Sequence, residues 1–489
     1  MSRFNEYFDE SFGWLQTTFK TVDISSLLKD DMYIIAGDFY GIQQFIFNDL
    51  QSKSAAKVLR AKSAYVQIFT QFAANYVCHI FGIEQKYIIS ISAGKFEILL
   101  DKFDVEKFNQ VKKDIEEYFI KNFCASSGIS LVYATCCKND FQDKTAYTNL
   151  REKMSNLFEY AKFKKFDIPN LDAVILKQKV DINFASLGSK LVADGVQTYK
   201  SNELGIELNG FVCDIVLDER IKSYVFKDGF EIVDFNTLAQ NSIGAEAIAV
   251  LKADVDNMGT FIRDSNITHS FNNFDLFSKS LDSFFSIYIP RIMKEKFSHT
   301  YTIFAGGDDL LLIGAWNEVL ELARFIETDF KKFIKNNGLS ISFGIALAKP
   351  STPIGYLANF CEELLEMSKN FKENEGIKVK DAITIFGETA RWSSYKKVFK
   401  NVNDELEKLN LSDVNMAFLY RLLELCNMRK NIVNDLRNAL WRSKLVYSIS
   451  RNLPDAPESL ICVLNDNIEN NPEETKMSIC EFIYKRRSR

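Results

Sequence analysis

Cys-x-x-Cys pairs are missing from this sequence, and its nine cysteines are irregularly spaced, with Cys136 and Cys137 adjacent. That argues against a disulfide framework and a zinc knuckle, and leaves reduced thiols packed in cores, as in a cytoplasmic protein. The amino terminus, MSRFNEYFDE, has no apolar stretch of the signal type, and no run elsewhere approaches the length of a membrane span. Positive charge is not in excess. The formal net charge of −5 argues against a protein that coats nucleic acid by bulk electrostatics, although a local basic surface stays open. Apolar and aromatic residues, by contrast, are plentiful: 42 phenylalanines make large cores easy to build. At 489 residues the chain exceeds one ordinary core, and about two to four domains are expected.

One unit occurs twice. Residues 32–46 read MYIIAGDFYGIQQFI and residues 248–262 read IAVLKADVDNMGTFI. Each is an apolar run, then an Asp, then Phe-Ile seven residues on, from Asp38 to Phe45 and from Asp254 to Phe261. Downstream, YIISISAGKFEILL at 87–100 parallels YTIFAGGDDLLLIG at 301–314, two apolar strands joined by a tight glycine turn. The spacing from Asp38 to Lys95 is 57 residues, and from Asp254 to Asp308 it is 54. A helix is expected after each hairpin, at 105–122 and 317–336, and then another strand, from 128 and from 338. The order β–α–β–β–α–β in both halves predicts an α+β protein with two ferredoxin-like palm domains.

Between them, 137–245 reads as a helix over 146–165 followed by short strands and loops, an intervening mixed α/β domain without chemistry of its own. From 391 onward the pattern is helical, and 17 Lys and Arg stand there against 13 Asp and Glu, so a C-terminal helical domain carries positive charge in an acidic chain. The expected boundaries are 1–31, 32–136, 137–245, 246–390 and 391–489.

In the second unit the expected topology brings Asp254, at the end of the first strand, to the turn that carries Asp308 and Asp309, because neighbouring strands lie about 5 Å apart. These three are the candidate catalytic and metal-binding residues. Hard oxygen ligands of this kind suit Mg²⁺ or Mn²⁺, and a two-metal site activates a 3′-hydroxyl while stabilising a leaving pyrophosphate. Gly306 and Gly307 permit the tight turn and let a triphosphate approach the backbone. Gly-Gly-Asp-Asp alone is ordinary turn composition. The flanking strands, and DVDNMG at the matching distance, make it specific. Asp256 either assists the metals or caps the next helix. Lys369 and Lys380 flank the last helix–strand turn of the unit and are candidate triphosphate contacts.

The first unit has lost the metal set. Asp38 persists, but Ala93-Gly94-Lys95-Phe96 stands where the other unit has Gly306-Gly307-Asp308-Asp309. Lysine does not ligate Mg²⁺, though it holds a phosphate as a point charge. This palm is therefore read as degenerate, binding a nucleotide through Gly94 and Lys95 or only scaffolding its partner. SAAKVLRAKSAYV at 54–66 places Lys57, Arg60 and Lys62 near a helix start, either a phosphate-binding face or a solvated basic one. Gly41 and Arg60 complete the candidate nucleotide contacts.

DFYGIQQFIF, SAAKVLRAKS, SAGKFEILL, DVDNMG, AGGDD and ITIFGETARW, in that order, resemble the large subunit of type III CRISPR–Cas effector complexes, the Csm variety more than the Cmr variety. The resemblance runs from about residue 32 to residue 392. It implies a paired-palm nucleotidyltransferase that joins ATP into cyclic 3′–5′ oligoadenylate once the guide-RNA complex has bound target RNA. The implied partners are the other type III subunits, guide crRNA, target RNA and ATP, with no membrane. The family's carboxylates fall on Asp308 and Asp309, with Asp254 as the strand-end partner, and ATP is expected across the two palms. Two departures matter. Many members begin with an HD nuclease domain that cuts single-stranded DNA, but about 31 residues precede the first palm and none of the three histidines is followed by Asp. Residues 1–31 are thus expected to replace that domain, without DNase activity. Members also often carry a CxxC-type zinc module between the palms; no such spacing occurs, and structural zinc is not expected.

Two other functions compete. A stand-alone cyclic dinucleotide synthase of the GGDEF type shares the palm and a similar turn, but normally has one palm per chain. A non-enzymatic scaffold subunit of the guide-RNA complex has no need of clustered carboxylates at a strand end.

Overall fold

The computed structural model describes residues 4–47, 50, 55–92, 94–163, 182–335, 338–372, 379–409, 414–454 and 456–487. Its strands are β1 (Met32–Tyr40), β2 (Ile88–Ser92), β3 (Lys95–Leu100), β4 (Gly128–Cys136), β5 (Gln197–Lys200), β6 (Asp214–Leu217), β7 (Lys227–Asp228), β8 (Glu231–Ile232), β9 (Ile248–Asp256), β10 (Thr300–Gly306), β11 (Asp309–Ala315), β12 (Ser340–Ala348), β13 (Ala382–Ile385) and β14 (Glu388–Arg391). They form a four-stranded sheet in the order β2-β3-β1-β4, a six-stranded sheet in the order β10-β11-β9-β12-β13-β14, and the small pairs β5-β6 and β7-β8. The chain divides into two compact units, one of residues 1–234, 257–311 and 332–339, the other of residues 235–256, 312–331 and 340–489.

In the first unit, β1 pairs antiparallel with both β3 and β4. The helix Ala55–Phe81 lies in sequence between β1 and β2, and the helix Val105–Phe123 between β3 and β4. Side chains alternate between the faces of a strand. On one face, Met32, Ile34 and Ala36 of β1 pack with Leu99 and Val132 against Tyr147, Leu150 and Met154 of the helix Lys144–Phe163. On the other, Phe39 meets Phe119 edge-on at 5.4 Å. Coverage of both faces is why MYIIAGDFY is buried along most of its length. Gly37 sits opposite Phe96 in the register, and a Cβ there would lie 2.2 Å from that ring, so the position must be glycine for the ring to cross the strand.

The helix Ala55–Phe81 is buried on all sides, with 20 buried residues among its 27, as in a core helix rather than an amphipathic one. Phe211 packs on Tyr76 at 5.4 Å and Phe184 on Tyr65 at 5.5 Å, so residues from the intervening segment close this core. Near the amino terminus Phe8 stacks on Phe333 at 4.4 Å.

In the second unit, β9 and β12 are antiparallel over nine residue pairs, from Ile248↔Ala348 to Asp256↔Ser340. β12 and β13 are parallel, and the required crossover includes the helix Ile354–Lys369. That helix lies hard on the sheet: a Cβ at Gly344 would be 2.4 Å from Leu365 N and 2.5 Å from Cys361 O. The carboxy-terminal helices, Trp392–Glu407, Met416–Lys430, Trp441–Asn452, Glu458–Asn470 and Pro472–Arg486, share a core that includes Leu419, Leu422, Leu445, Leu464 and Phe482. Arg324 reaches buried Glu481 through two hydrogen bonds, at 2.9 and 3.0 Å.

The helix expected over 317–336 is Trp316–Phe333, and the strand expected from 338 begins at Ser340. Positions 336–337, Ala93 and most of the end of the expected helix 146–165 (164–165) lie outside the described residues.

Candidate active site

The turn of the Gly-Gly-Asp-Asp hairpin is two residues long, Gly307 and Asp308, between β10 and β11. Gly307 has φ +64° whereas Asp308 is not in a positive-φ conformation, the pattern of a hairpin turn that places glycine at its first central position. Gly306 stays extended as the last residue of β10, so the turn itself needs only one of the two glycines. No described atom lies within 4 Å of where a Cβ on Gly307 would sit. Asp308 and Asp309 are half-buried.

Beneath the turn is a set of residues that the sequence pattern did not single out. The Gly307 N–H donates to Asp282 Oδ1 at 3.1 Å. Asp282 is buried on the helix Phe271–Ser283, and its Oδ2 accepts from Arg220 Nη1 at 2.8 Å and from Ser286 Oγ at 3.3 Å. Arg220 Nη2 in turn donates to Thr18 O and Ser283 Oγ, both at 3.0 Å. Burial raises the pKa of Asp282, against the opposing pull of Arg220 and the Gly307 N–H. No local signal marks these partners, which lie 25 and 62 positions from Asp282.

Asp254 lies on β9, which runs two residues further than expected, to Asp256. Asp254 Oδ2 is ion-paired with Lys369 Nζ at 2.7 Å, at the end of the helix Ile354–Lys369. Asp256 corrects the sequence reading. It is 1% exposed, and its carboxylate accepts from Ser340 Oγ at 2.6 Å, Ser342 Oγ at 2.9 Å and the Asp381 N–H at 3.0 Å. It caps no helix: the following helix starts after Asn257, whose side chain makes no capping bond. Its carboxylate is consumed in holding strand ends together. Lys380 is half-buried two residues before β13.

In the first unit, Asp38 of β1 faces Lys95, the first residue of β3, across the ladder and is ion-paired with Lys162 at 3.2 Å. Lys95 is exposed, and Gly94 has φ +86° with its carbonyl accepting from Phe39 N at 2.9 Å. Gly41 has φ +69°, and a Cβ there would lie 2.7 Å from Ser126 O, so a tight backbone approach accounts for this glycine. Arg60 is a second correction. It is 3% exposed and donates to Lys222 O at 3.0 Å and to Ile221 O, so it ties down a backbone and does not present itself to a nucleotide. Burial lowers its pKa. Lys62 is likewise buried, beside the rings of Phe45 and Phe184.

Among the described residues no group of three or more His, Cys, Asp or Glu is gathered in metal-holding geometry. No helix among them is long and apolar enough to cross a membrane.

Two family models match the chain. Residues 247–383 match Cas10/Cmr2, second palm domain, and residues 31–179 match Csm1 subunit domain B. Together with the several sheets and helical regions, this defines a mixed α/β protein of the palm-type nucleotidyltransferase class. Over these two segments the chain is similar to the Cas10/Csm1-type large subunits of type III CRISPR–Cas effector complexes.

It is 25% identical to the Cas10/Csm1 single-strand-specific deoxyribonuclease (subtype III-A) of Methanocaldococcus jannaschii, over 82% of this chain and 65% of that protein. It is 23% identical to the Streptococcus thermophilus counterpart, over 94% of this chain and 69% of that protein. The chain thus spans about two thirds of the length of these relatives. Crystal structures of a Csm1–Csm4 cassette in complex with one ATP and with cA4 share its fold, with TM-scores of 0.72 and 0.71 at 18% and 19% identity. They cover 94% and 97% of this chain, and 70% and 72% of theirs.

Proposed function

We propose that this chain synthesises cyclic oligoadenylate from ATP within a type III effector complex whose guide crRNA has paired with target RNA. The observation that carries the reading is the Gly306-Gly307-Asp308-Asp309 hairpin inside a segment that matches the second palm domain of Cas10/Cmr2. The crystal structures of similar fold with ATP and with cA4 support a substrate and product of this chemistry.

In this reading 32–136 and 246–390 are two ferredoxin-like palms, the first degenerate, joined by 137–245 and followed by a helical domain over 391–489, with 1–31 as a short leading segment. Asp254, Asp308 and Asp309 hold Mg²⁺ or Mn²⁺. The donor set fits: carboxylate oxygens are the ligands these ions prefer, and waters and phosphate oxygens complete their shells. Such a metal pair, when bound, supplies activation of the attacking 3′-hydroxyl and stabilisation of the leaving pyrophosphate. Gly306 and Gly307 admit the triphosphate, with open space beside Gly307. Lys369 and Lys380 offer it positive charge, and Gly41, Gly94 and Lys95 serve the nucleotide on the first palm. No structural zinc is required. The working assembly is cytoplasmic and includes a Csm4-like subunit and the other type III subunits.

The test is direct. Purified protein is incubated with ATP, with and without the target-bound guide-RNA complex, and products are resolved by chromatography and mass. Cyclic oligoadenylate is expected only with target RNA, and Asp308→Ala/Asp309→Ala abolishes it while leaving assembly intact. Consumption of GTP without RNA would overturn the reading in favour of a dinucleotide cyclase. Undiminished synthesis by the double variant would refute the site.

A further inference from the structure

The turn that bears Asp308 and Asp309 is short, and an open glycine precedes them, so its backbone needs an external reference to be held in one place. The Gly307 N–H has a carboxylate acceptor, Asp282 Oδ1 at 3.1 Å, and the other oxygen of that carboxylate is fixed by Arg220 and Ser286. Arg220 is immobilised through Thr18 O and Ser283 Oγ.

The short helix that carries Arg220, Glu219–Lys222, is itself anchored at both ends. Asp218 accepts from the N–H groups of Arg220 and Ile221 at its start. Arg60 takes the carbonyls of Ile221 and Lys222 at its end, and Lys222 Nζ reaches Ala193 O at 2.7 Å and Gly195 O at 2.6 Å. A buried carboxylate engaged in this way is an expensive feature unless every partner is fixed.

We propose that Asp282, clamped by Arg220, is the positioning residue that sets the backbone of the Gly307-Asp308 turn, and so the placement of the metal-binding carboxylates. Asp282 acts through the Gly307 N–H. The anchored segment 218–222 carries the clamp, which gives Arg60 a part in catalysis at one remove in place of the nucleotide contact expected of it. This inference rests on the proposed synthase reading.

The test uses the assembled, target-bound complex and three variants. Asp282→Ala removes the acceptor. Asp282→Asn keeps a carbonyl oxygen for the Gly307 N–H. Asp275→Asn alters a buried carboxylate on the same helix that is ion-paired with Lys279 and does not contact the turn.

Misplacing reacting groups by about 1 Å costs on the order of a hundredfold, so Asp282→Ala is expected to lower kcat by about ten- to a hundredfold and to raise the Mg²⁺ concentration for half-maximal rate. Amide hydrogen exchange at Gly307 is expected to speed up by about tenfold or more, since its bond to a charged acceptor is lost. Asp282→Asn restores Gly307 protection and the Mg²⁺ midpoint towards wild type, and Asp275→Asn shifts neither. An unchanged Mg²⁺ midpoint and unchanged Gly307 exchange in Asp282→Ala would overturn the proposal, as would equal shifts in Asp275→Asn. If the wild-type complex makes no product from ATP, the synthase reading fails, and the Gly307 exchange rates still decide the positioning role.

Discussion

Asp254 and Asp256 point to the same side of β9, two residues apart; the first is proposed to hold metal and the second is a buried brace, and substitution should separate them. Asp256→Ala removes a buried carboxylate that accepts from two serine hydroxyls and the Asp381 N–H. Hydrogen bonds to charged groups contribute about 1.5–3 kcal/mol each, and they are not additive, so a loss of about 3–5 kcal/mol is expected, part of it from depriving the buried Ser342 hydroxyl and the Asp381 N–H of this acceptor. In a domain of about 200 residues each kcal/mol moves Tm by about 2–4 °C, which sets a fall on the order of 10 °C. Asp254→Asn removes one ion pair, to Lys369, with both side chains about a quarter exposed (24% and 25%). A pair that open to solvent is worth about 0–1 kcal/mol, so the melt should move by no more than about 3 °C. Product formation from ATP in the target-bound complex should fall to background in Asp254→Asn at any temperature. In Asp256→Ala it should persist at low temperature in proportion to the folded fraction. Thermal denaturation followed by circular dichroism, run beside the synthesis assay, reads both quantities. The reasoning fails if Asp256→Ala melts with the wild type, or if Asp254→Asn is the less stable of the two.

Arg60→Ala should destabilise the first unit by about 2–4 kcal/mol, because two buried carbonyls lose their donor, and thermal denaturation checks it. Arg60→Lys should recover little, since one ammonium does not reproduce the fork that serves both carbonyls. Burial pushes the Cys78, Cys136 and Cys361 thiols up to about 12. At pH 8 their thiolate fraction is negligible, so iodoacetamide should label exposed Cys462 and spare these three, as read by peptide mass. Gly344→Ala should lower Tm more than a solvent-facing Gly→Ala change, because the helix Ile354–Lys369 must lift off β12 to admit the methyl group.

The strands were legible because their information is local. MYIIAGDFY and IAVLKADVD are apolar runs, and the hairpin glycines announce the turns, with Gly307 and Gly94 both at positive φ. The long-range part was not legible. Whether Asp256 is a metal ligand or a brace depends on Ser340, Ser342 and Asp381, which are 84 to 125 positions away. The basic spacing of Lys57, Arg60 and Lys62 reads equally as a phosphate-binding or a solvated face, and it is the packing of residues 184 and 221–222 that buries Arg60 and Lys62. Asp282 and Arg220 carry no motif at all; only the fold brings them together under the turn.

The burial of the helix Ala55–Phe81 on all sides bears on how this protein can be dissected. The repeat invites a cut at residue 136 to isolate its first copy, but a fragment ending there would bare the sides of that helix that Phe184, Gly188, Phe211 and residues 221–222 cover. The repeat copy and the piece able to stand in water are therefore different lengths of chain. The stretch from 182 to 234, which shows no chemistry when read as sequence, is the lid of a core, and shortening it would open that core to solvent rather than trim a connection.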